Sequence, residues 1–328
     1  MRWIALALVA CAAPAPPVAP RQPSRSRVVY AHHHSDALGV DKTYLVYVPA
    51  GYDDDPAIRW PVFYYLHGLT SPETEWVQAG KLDETADRIA LAALVVMPDG
   101  DDGFYIDSAT PIDHAACLRD GAGLYDPGAD REATCVKHRA YETYIATELV
   151  ARIDATYRTN ATREGRAIAG VSMGGYGALS LGLRHPDEYA AIASHSAVAT
   201  LLYDGPLPFE PGRGKVAADL DHATGAPRLR AWTELLFGKD LAVWRAHDPA
   251  VLIQTLPANA PALYLDSGTE DFLVSTTRFV DELLTAHHVE HTVFYGPGIH
   301  DYEFWIPRLA VSLAFLRDHT AAPLRSGR

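Results

Sequence analysis

The chain has 328 residues, 48% of them hydrophobic and 21% charged, the balance of a folded protein with a sizeable core. A formal net charge of -13 leaves no surplus of Lys and Arg to neutralise phosphates, so general affinity for nucleic acid is excluded. Length alone allows one large domain or two ordinary ones.

Residues 1–11 are expected to be a signal peptide. Arg2 gives a minimal positive start, and Trp3 to Ala10 form an apolar run too short to span a bilayer. Leu8-Val9-Ala10-Cys11 resembles a bacterial lipobox, which predicts lipidation at Cys11; cleavage near Ala12 or Ala13 without a lipid is the alternative. Prolines at 14, 16, 17, 20 and 23 predict an extended tether over residues 12–37. The expectation is an exported protein whose only membrane association is that anchor. His32, His33 and His34 close the tether, and three adjacent residues on a strand cannot converge on one ion, so a solvated edge is expected there.

A single domain is expected over residues 38–320. Thr43 to Val48, Val62 to Leu66, Leu94 to Met97, Ala167 to Val171, Ala190 to Ser194, Ala262 to Asp266 and Thr292 to Tyr295 read as strands. Most are short and continuously apolar, as strands covered on both faces must be. Between them, Tyr141 to Tyr157, Tyr176 to Arg184 and Thr276 to His287 have helical character, and another helix should follow residue 300. The alternation predicts a mostly parallel central sheet with helices on both faces. Insertions at 101–139 and 200–260, rich in Gly and Pro, should form loops or small helices over the strand ends.

The first insertion holds Cys117 and Cys135, the even pair left once Cys11 is assigned to processing. In an exported protein they should form a disulfide, worth about 3 kcal/mol for a loop of about twenty residues. Two unrelated thiols are the alternative.

Gly170-Val171-Ser172-Met173-Gly174 is a G-x-S-x-G motif between a strand and a helix. A serine nucleophile needs a turn so sharp that only small flanking residues fit, with a helix N-terminus behind it to favour developing negative charge. It also needs a base and an orienting acid, in the chain order Ser, Asp, His. His300, beyond the turn Gly296-Pro297-Gly298, fits the base; Asp271 fits the acid, with Glu270 the main competitor and Asp266 and Asp301 less suitably placed. The oxyanion donors should be the backbone N–H groups of Met173 and of Leu69, the latter after His67-Gly68, where His67 is expected to brace the turn.

The acidic run Asp99, Asp101 and Asp102 resembles part of a calcium loop but lacks the bidentate Glu at the required spacing, so no metal or other cofactor is expected.

Together, Tyr64-Tyr65-Leu66-His67-Gly68, Val96-Met97-Pro98-Asp99-Gly100, Gly170 to Gly175, Ser267-Gly268-Thr269-Glu270-Asp271-Phe272 and Gly298-Ile299-His300-Asp301-Tyr302 give the chain a specific likeness. Over residues 38–318 it resembles the esterase D and S-formylglutathione hydrolase-like branch of the α/β hydrolases. That branch also includes feruloyl and acetylxylan esterases and mycolyltransferases. The resemblance implies the α/β-hydrolase fold, the triad Ser172, Asp271 and His300, the oxyanion hole at Leu69 and Met173, and substrate contacts from Tyr105 and Asp107. The expected substrate is a small-molecule or carbohydrate acyl ester, short acyl groups being favoured. Acyl transfer, or hydrolysis of feruloyl or acetylxylan esters, on the same residues and a non-catalytic surface lipoprotein are the alternatives; oligomeric state is left open.

Overall fold

The computed structural model describes residues 24–325; the expected signal peptide, Cys11 included, and residues 12–23 of the expected tether lie outside the described residues. Eight strands form one sheet: β1 (Arg27–Ser35), β2 (Val40–Val48), β3 (Val62–Leu66), β4 (Leu94–Pro98), β5 (Arg166–Val171), β6 (Ala191–His195), β7 (Ala262–Gly268) and β8 (His291–Gly296). Their spatial order is β1-β2-β4-β3-β5-β6-β7-β8. Pairing is antiparallel between β1 and β2 and between β2 and β4, and parallel elsewhere.

Alternating side chains explain the layers, because successive residues of a strand face opposite sides. From β3, Val62, Tyr64 and Leu66 enter one core, while Phe63 and Tyr65 enter the other. Three helices matter for the site: α1 (Met173–Arg184), α2 (Val274–Ala286) and α3 (Tyr302–Asp318). Residues of α1 and α2 pack into the first core, and Phe304, Trp305, Leu309 and Leu313 of α3 into the second.

The structure moves one boundary. Residues 27–35 are not the tether expected to reach residue 37, because Arg27 to Ser35 pair along their whole length with Val48 to Val40. An edge strand with one solvated face carries few apolar residues, which made it look like linker. His32 and His34 are exposed as expected, but His33 turns inward, its ring stacked on Tyr144 at 5.7 Å and edge-on to Tyr44 at 5.6 Å. The helical run expected from Tyr141 is present as Tyr141–Thr143, a π-helical Tyr144–Leu149 and Val150–Thr156.

Both insertions contain short helices and lean on each other. Trp232 in Arg230–Phe237 donates its indole N–H to the Asp102 carbonyl (2.8 Å), and Ala109 N–H donates to Leu236 (3.0 Å). Cys117 and Cys135 form the expected disulfide, with Cα atoms 5.8 Å apart, tying His114–Asp120 to the end of Arg131–Thr134.

Candidate active site

Ser172 sits between β5 and α1 at φ 57°, ψ -115°, a conformation L-residues adopt only when the surroundings impose it. The flanking glycines are what make the turn possible. A Cβ on Gly170 would lie 2.4 Å from the Gly174 carbonyl oxygen, and one on Gly174 would lie 2.4 Å from that of Leu66. The Ser172 N–H donates to the His195 carbonyl (2.9 Å), which fixes the turn to the end of β6.

A second pair of loops brings His300 and Asp271 together. Thr269 N–H donates to Gly296 (2.8 Å), Glu270 N–H to Gly298 (3.1 Å), and Gly298 N–H returns to the Glu270 carboxylate (2.7 Å). These bonds hold the loops after β7 and β8 side by side. His300 Nδ1–H then donates to Asp271 Oδ2 (2.8 Å), while Asp271 Oδ1 accepts from Leu273 N–H (2.8 Å). Asp271 is 3% exposed, so its carboxylate is committed to these partners. With Nδ1 carrying the bonded proton, Nε2 of a neutral His300 is left as an acceptor.

The other acidic candidates have different tasks. Glu270 clasps the loop as above, and Asp301 caps α3 by accepting from Phe304 N–H (3.1 Å). Asp266 is fully buried and accepts from His195 Nδ1 and the Tyr264 hydroxyl.

Ser172 and His300 line one cleft of about 290 Å³, together with Gly68, Leu69, Ser71, Glu75, Tyr302 and Trp305. Among the described residues no hydrogen bond joins Ser172 directly to His300; such contacts are often open in ligand-free enzymes. His300 packs edge-on against Trp305 at 4.9 Å and meets Phe272 at 4.8 Å on another side. Phe272 is 59% exposed and borders an apolar cavity of about 200 Å³ lined by Leu207, Ala226, Pro227, Leu229 and Leu273.

Leu69 lines the cleft, and Met173 is the first residue of α1, directly after Ser172. His67 braces the turn before Leu69: its Nδ1–H donates to the Gly68 carbonyl (2.8 Å), and its Nε2 accepts from Gly100 N–H (2.8 Å). Gly68 is not forced by crowding, since an added Cβ would meet nothing closer than 3.6 Å.

Tyr105 and Asp107, expected to contact substrate, are not among the residues lining the cleft. Tyr105 is buried in the core, where its ring fills the space left by Gly100 and Gly177 and its hydroxyl donates to the His67 carbonyl (3.0 Å). Asp107 accepts from the Thr143 N–H (3.0 Å) and hydroxyl (2.6 Å). Both side chains are thus engaged by partners within the protein: Tyr105 by His67 and Asp107 by Thr143.

The acidic run is engaged by a cation from the chain itself. Lys42 Nζ, almost wholly buried, contacts Asp99 Oδ2 at 2.6 Å and Asp101 Oδ1 at 2.8 Å. Burial raises the Asp101 pKa to about 7, with the neighbouring Asp99 adding to the effect. Asp99 is held well below the usual carboxylate range: burial opposes this, but Lys42 outweighs it. Among the described residues no group of three His, Cys, Asp or Glu side chains is disposed to hold a metal ion.

Glu75 and Trp305 were not singled out in the sequence, and Tyr302 entered only as the last residue of the motif around His300. The only signal was their nearness in the chain to His67-Gly68 and His300, and it says nothing about direction.

A family model described as "Putative esterase" matches residues 35–316. The chain belongs to this esterase family. A Mycobacterium tuberculosis protein named Esterase Rv1288 is 27% identical over 288 residues, 85% of this chain but 57% of that protein, so the chain spans little more than half of that relative. The S-formylglutathione hydrolase of Paracoccus denitrificans is 27% identical over 239 residues, 73% of each chain. Among solved structures, an S-formylglutathione hydrolase from Agrobacterium tumefaciens superposes with a TM-score of 0.66 at 20% identity, covering 92% of this chain and all of the other. The chain thus has the α/β-hydrolase fold.

Proposed function

We propose that this member of the esterase family is an exported serine carboxylesterase acting through an acyl-enzyme. The observation that carries the reading is the cleft shared by Ser172, on its strained turn, and His300, bonded to buried Asp271. Ser172 Oγ attacks the ester carbonyl carbon while His300 Nε2 takes its proton. The carbonyl oxygen becomes an oxyanion held by the Leu69 and Met173 N–H groups. Collapse breaks the bond to the alcohol, and imidazolium His300 protonates the departing oxygen. Water then attacks the acyl-enzyme by the same steps, releasing acid and restoring Ser172. Asp271 keeps the His300 proton on Nδ1 and stabilises the imidazolium.

The cleft of Ser172 and His300, about 290 Å³, and the apolar cavity bordered by Phe272, about 200 Å³, lie at and below the roughly 300 Å³ where pockets for drug-sized ligands start. A small ester suits them, its apolar half lying in the cavity of Leu207, Leu229, Phe272 and Leu273. The signal-like start and the Cys117–Cys135 bridge support export, with lipid on Cys11 as the anchor.

The test is release of p-nitrophenol from p-nitrophenyl acetate and butyrate, with labelling by a fluorophosphonate probe. Wild type should do both and Ser172→Ala neither; retained turnover by the variant sinks the reading. Adding trehalose or sugar acceptors separates hydrolysis from acyl transfer by whether acylated acceptor outpaces free acid.

A further inference from the structure

Resting on that reading, we infer that Glu75 is a positioning residue that locks the loop carrying the Leu69 oxyanion donor to the loop carrying His300. Glu75 is 8% exposed and opens the short helix Glu75–Gln78, facing the cleft. One carboxylate oxygen, Oε2, accepts the Gly68 N–H (3.0 Å), and the other, Oε1, accepts the Tyr302 hydroxyl. Gly68 is the residue before Leu69, and Tyr302 is two residues after His300. One buried side chain therefore spans both halves of the proposed machinery.

The bond at Gly68 completes the fixing of two successive peptide planes. The plane between His67 and Gly68 is held at its carbonyl by the Tyr105 hydroxyl and at its N–H by Glu75. The next plane is held at the Gly68 carbonyl by His67 Nδ1–H. In a trans peptide the N–H points opposite to the C=O, so fixing that carbonyl also aims the Leu69 N–H. Trp76, the next residue, donates its indole N–H to the Leu66 carbonyl (3.1 Å) and holds the end of β3 against the same short helix. On the far side, Tyr302 and His300 both pack on Trp305, at 5.1 and 4.9 Å. Without Glu75, Gly68 loses its acceptor, Tyr302 loses its partner, and the spacing between oxyanion donor and base is set by neither.

The role belongs to the transition state, so its loss should fall on kcat rather than KM. With p-nitrophenyl butyrate, Glu75→Ala should lower kcat by about 10- to 100-fold, part of the loss seen when an oxyanion donor is removed, with KM within about threefold of wild type. Glu75→Gln should recover kcat to within about threefold of wild type: its amide oxygen can accept from Gly68, and the Tyr302 oxygen can accept from the amide. Inhibition by phenylboronic acid, which forms a tetrahedral adduct on the serine, should weaken in Glu75→Ala by the same factor as kcat/KM. Unchanged kcat in Glu75→Ala, or a loss that Gln does not rescue, overturns the assignment. Should Glu75→Ala fail to fold, Tyr302→Phe keeps the Gly68 bond and cuts the tie to the histidine loop; it should lower kcat by about three- to tenfold, and unchanged kcat there overturns the assignment equally. Wild-type turnover that depends on Ser172 keeps the esterase reading standing in either event, whereas wild-type inactivity removes both.

Discussion

Ser312 Oγ lies 3.0 Å from His195 Nε2, and His195 Nδ1 donates to Asp266 at 2.9 Å, so the molecule holds a second Ser-His-Asp arrangement. Every member is fully buried, and the Tyr65 hydroxyl shares the space at 2.9 Å from the imidazole and 2.8 Å from Ser312. Closed geometry without solvent access cannot serve a substrate; here it braces the residues under the Ser172 turn.

Ser312→Ala should therefore keep fluorophosphonate labelling and keep esterase kcat within about threefold, whereas Ser172→Ala should abolish both. Loss of labelling in Ser312→Ala in a folded protein would contradict the assignment of the two serines.

Asp271→Asn should lower kcat by up to about 10⁴-fold, because an amide in place of the carboxylate no longer selects the Nδ1–H tautomer of His300 or stabilises the imidazolium. Glu270→Gln keeps an acceptor for Gly68's counterpart in this loop, the Gly298 N–H, and should stay within about threefold. Steady-state kinetics on folded variants compare the two.

Lys42→Met should destabilise by about 3–5 kcal/mol, since it leaves two buried carboxylates without their cation. The loss should be smaller near pH 5 than near pH 8, because Asp101, with its pKa raised to about 7, can take up a proton there. Urea unfolding at the two values measures it.

His33 should make stability fall in mild acid. Burial lowers its pKa below the ordinary 6.5, Arg152 acting in the same direction, and neither ring nitrogen has a hydrogen-bond partner. Below that value the unfolded chain binds the proton and the folded one resists it, so stability is present above 6.5 and is lost as pH falls beneath it. His33→Phe keeps the stacking on Tyr144 without a proton to bind, and its urea midpoint should drop less than that of wild type between pH 7.5 and 5.5.

Leu229→Trp should fill the apolar cavity beside Phe272. The specificity constant for p-nitrophenyl hexanoate should fall about tenfold while that for acetate stays within about twofold. Equal loss on both esters would place the apolar half of the substrate elsewhere.

By itself the sequence showed seven of the eight strands of the sheet, the glycine-flanked turn at Ser172 and the candidates His300 and Asp271, since each is written in local terms: runs of apolar residues, small residues about a turn, and a fixed chain order. Glu270, adjacent to Asp271, could be set aside only when the loops after β7 and β8 were seen zipped together. Tyr105 and Asp107 resisted reading because an insertion's path depends on what it packs against. Glu75 was hidden for the same reason, its meaning lying in partners 7 and 227 residues away. Periodicity and turn chemistry act between near neighbours, whereas the direction of a side chain across a cleft is fixed by contacts between segments that only the folded chain brings together.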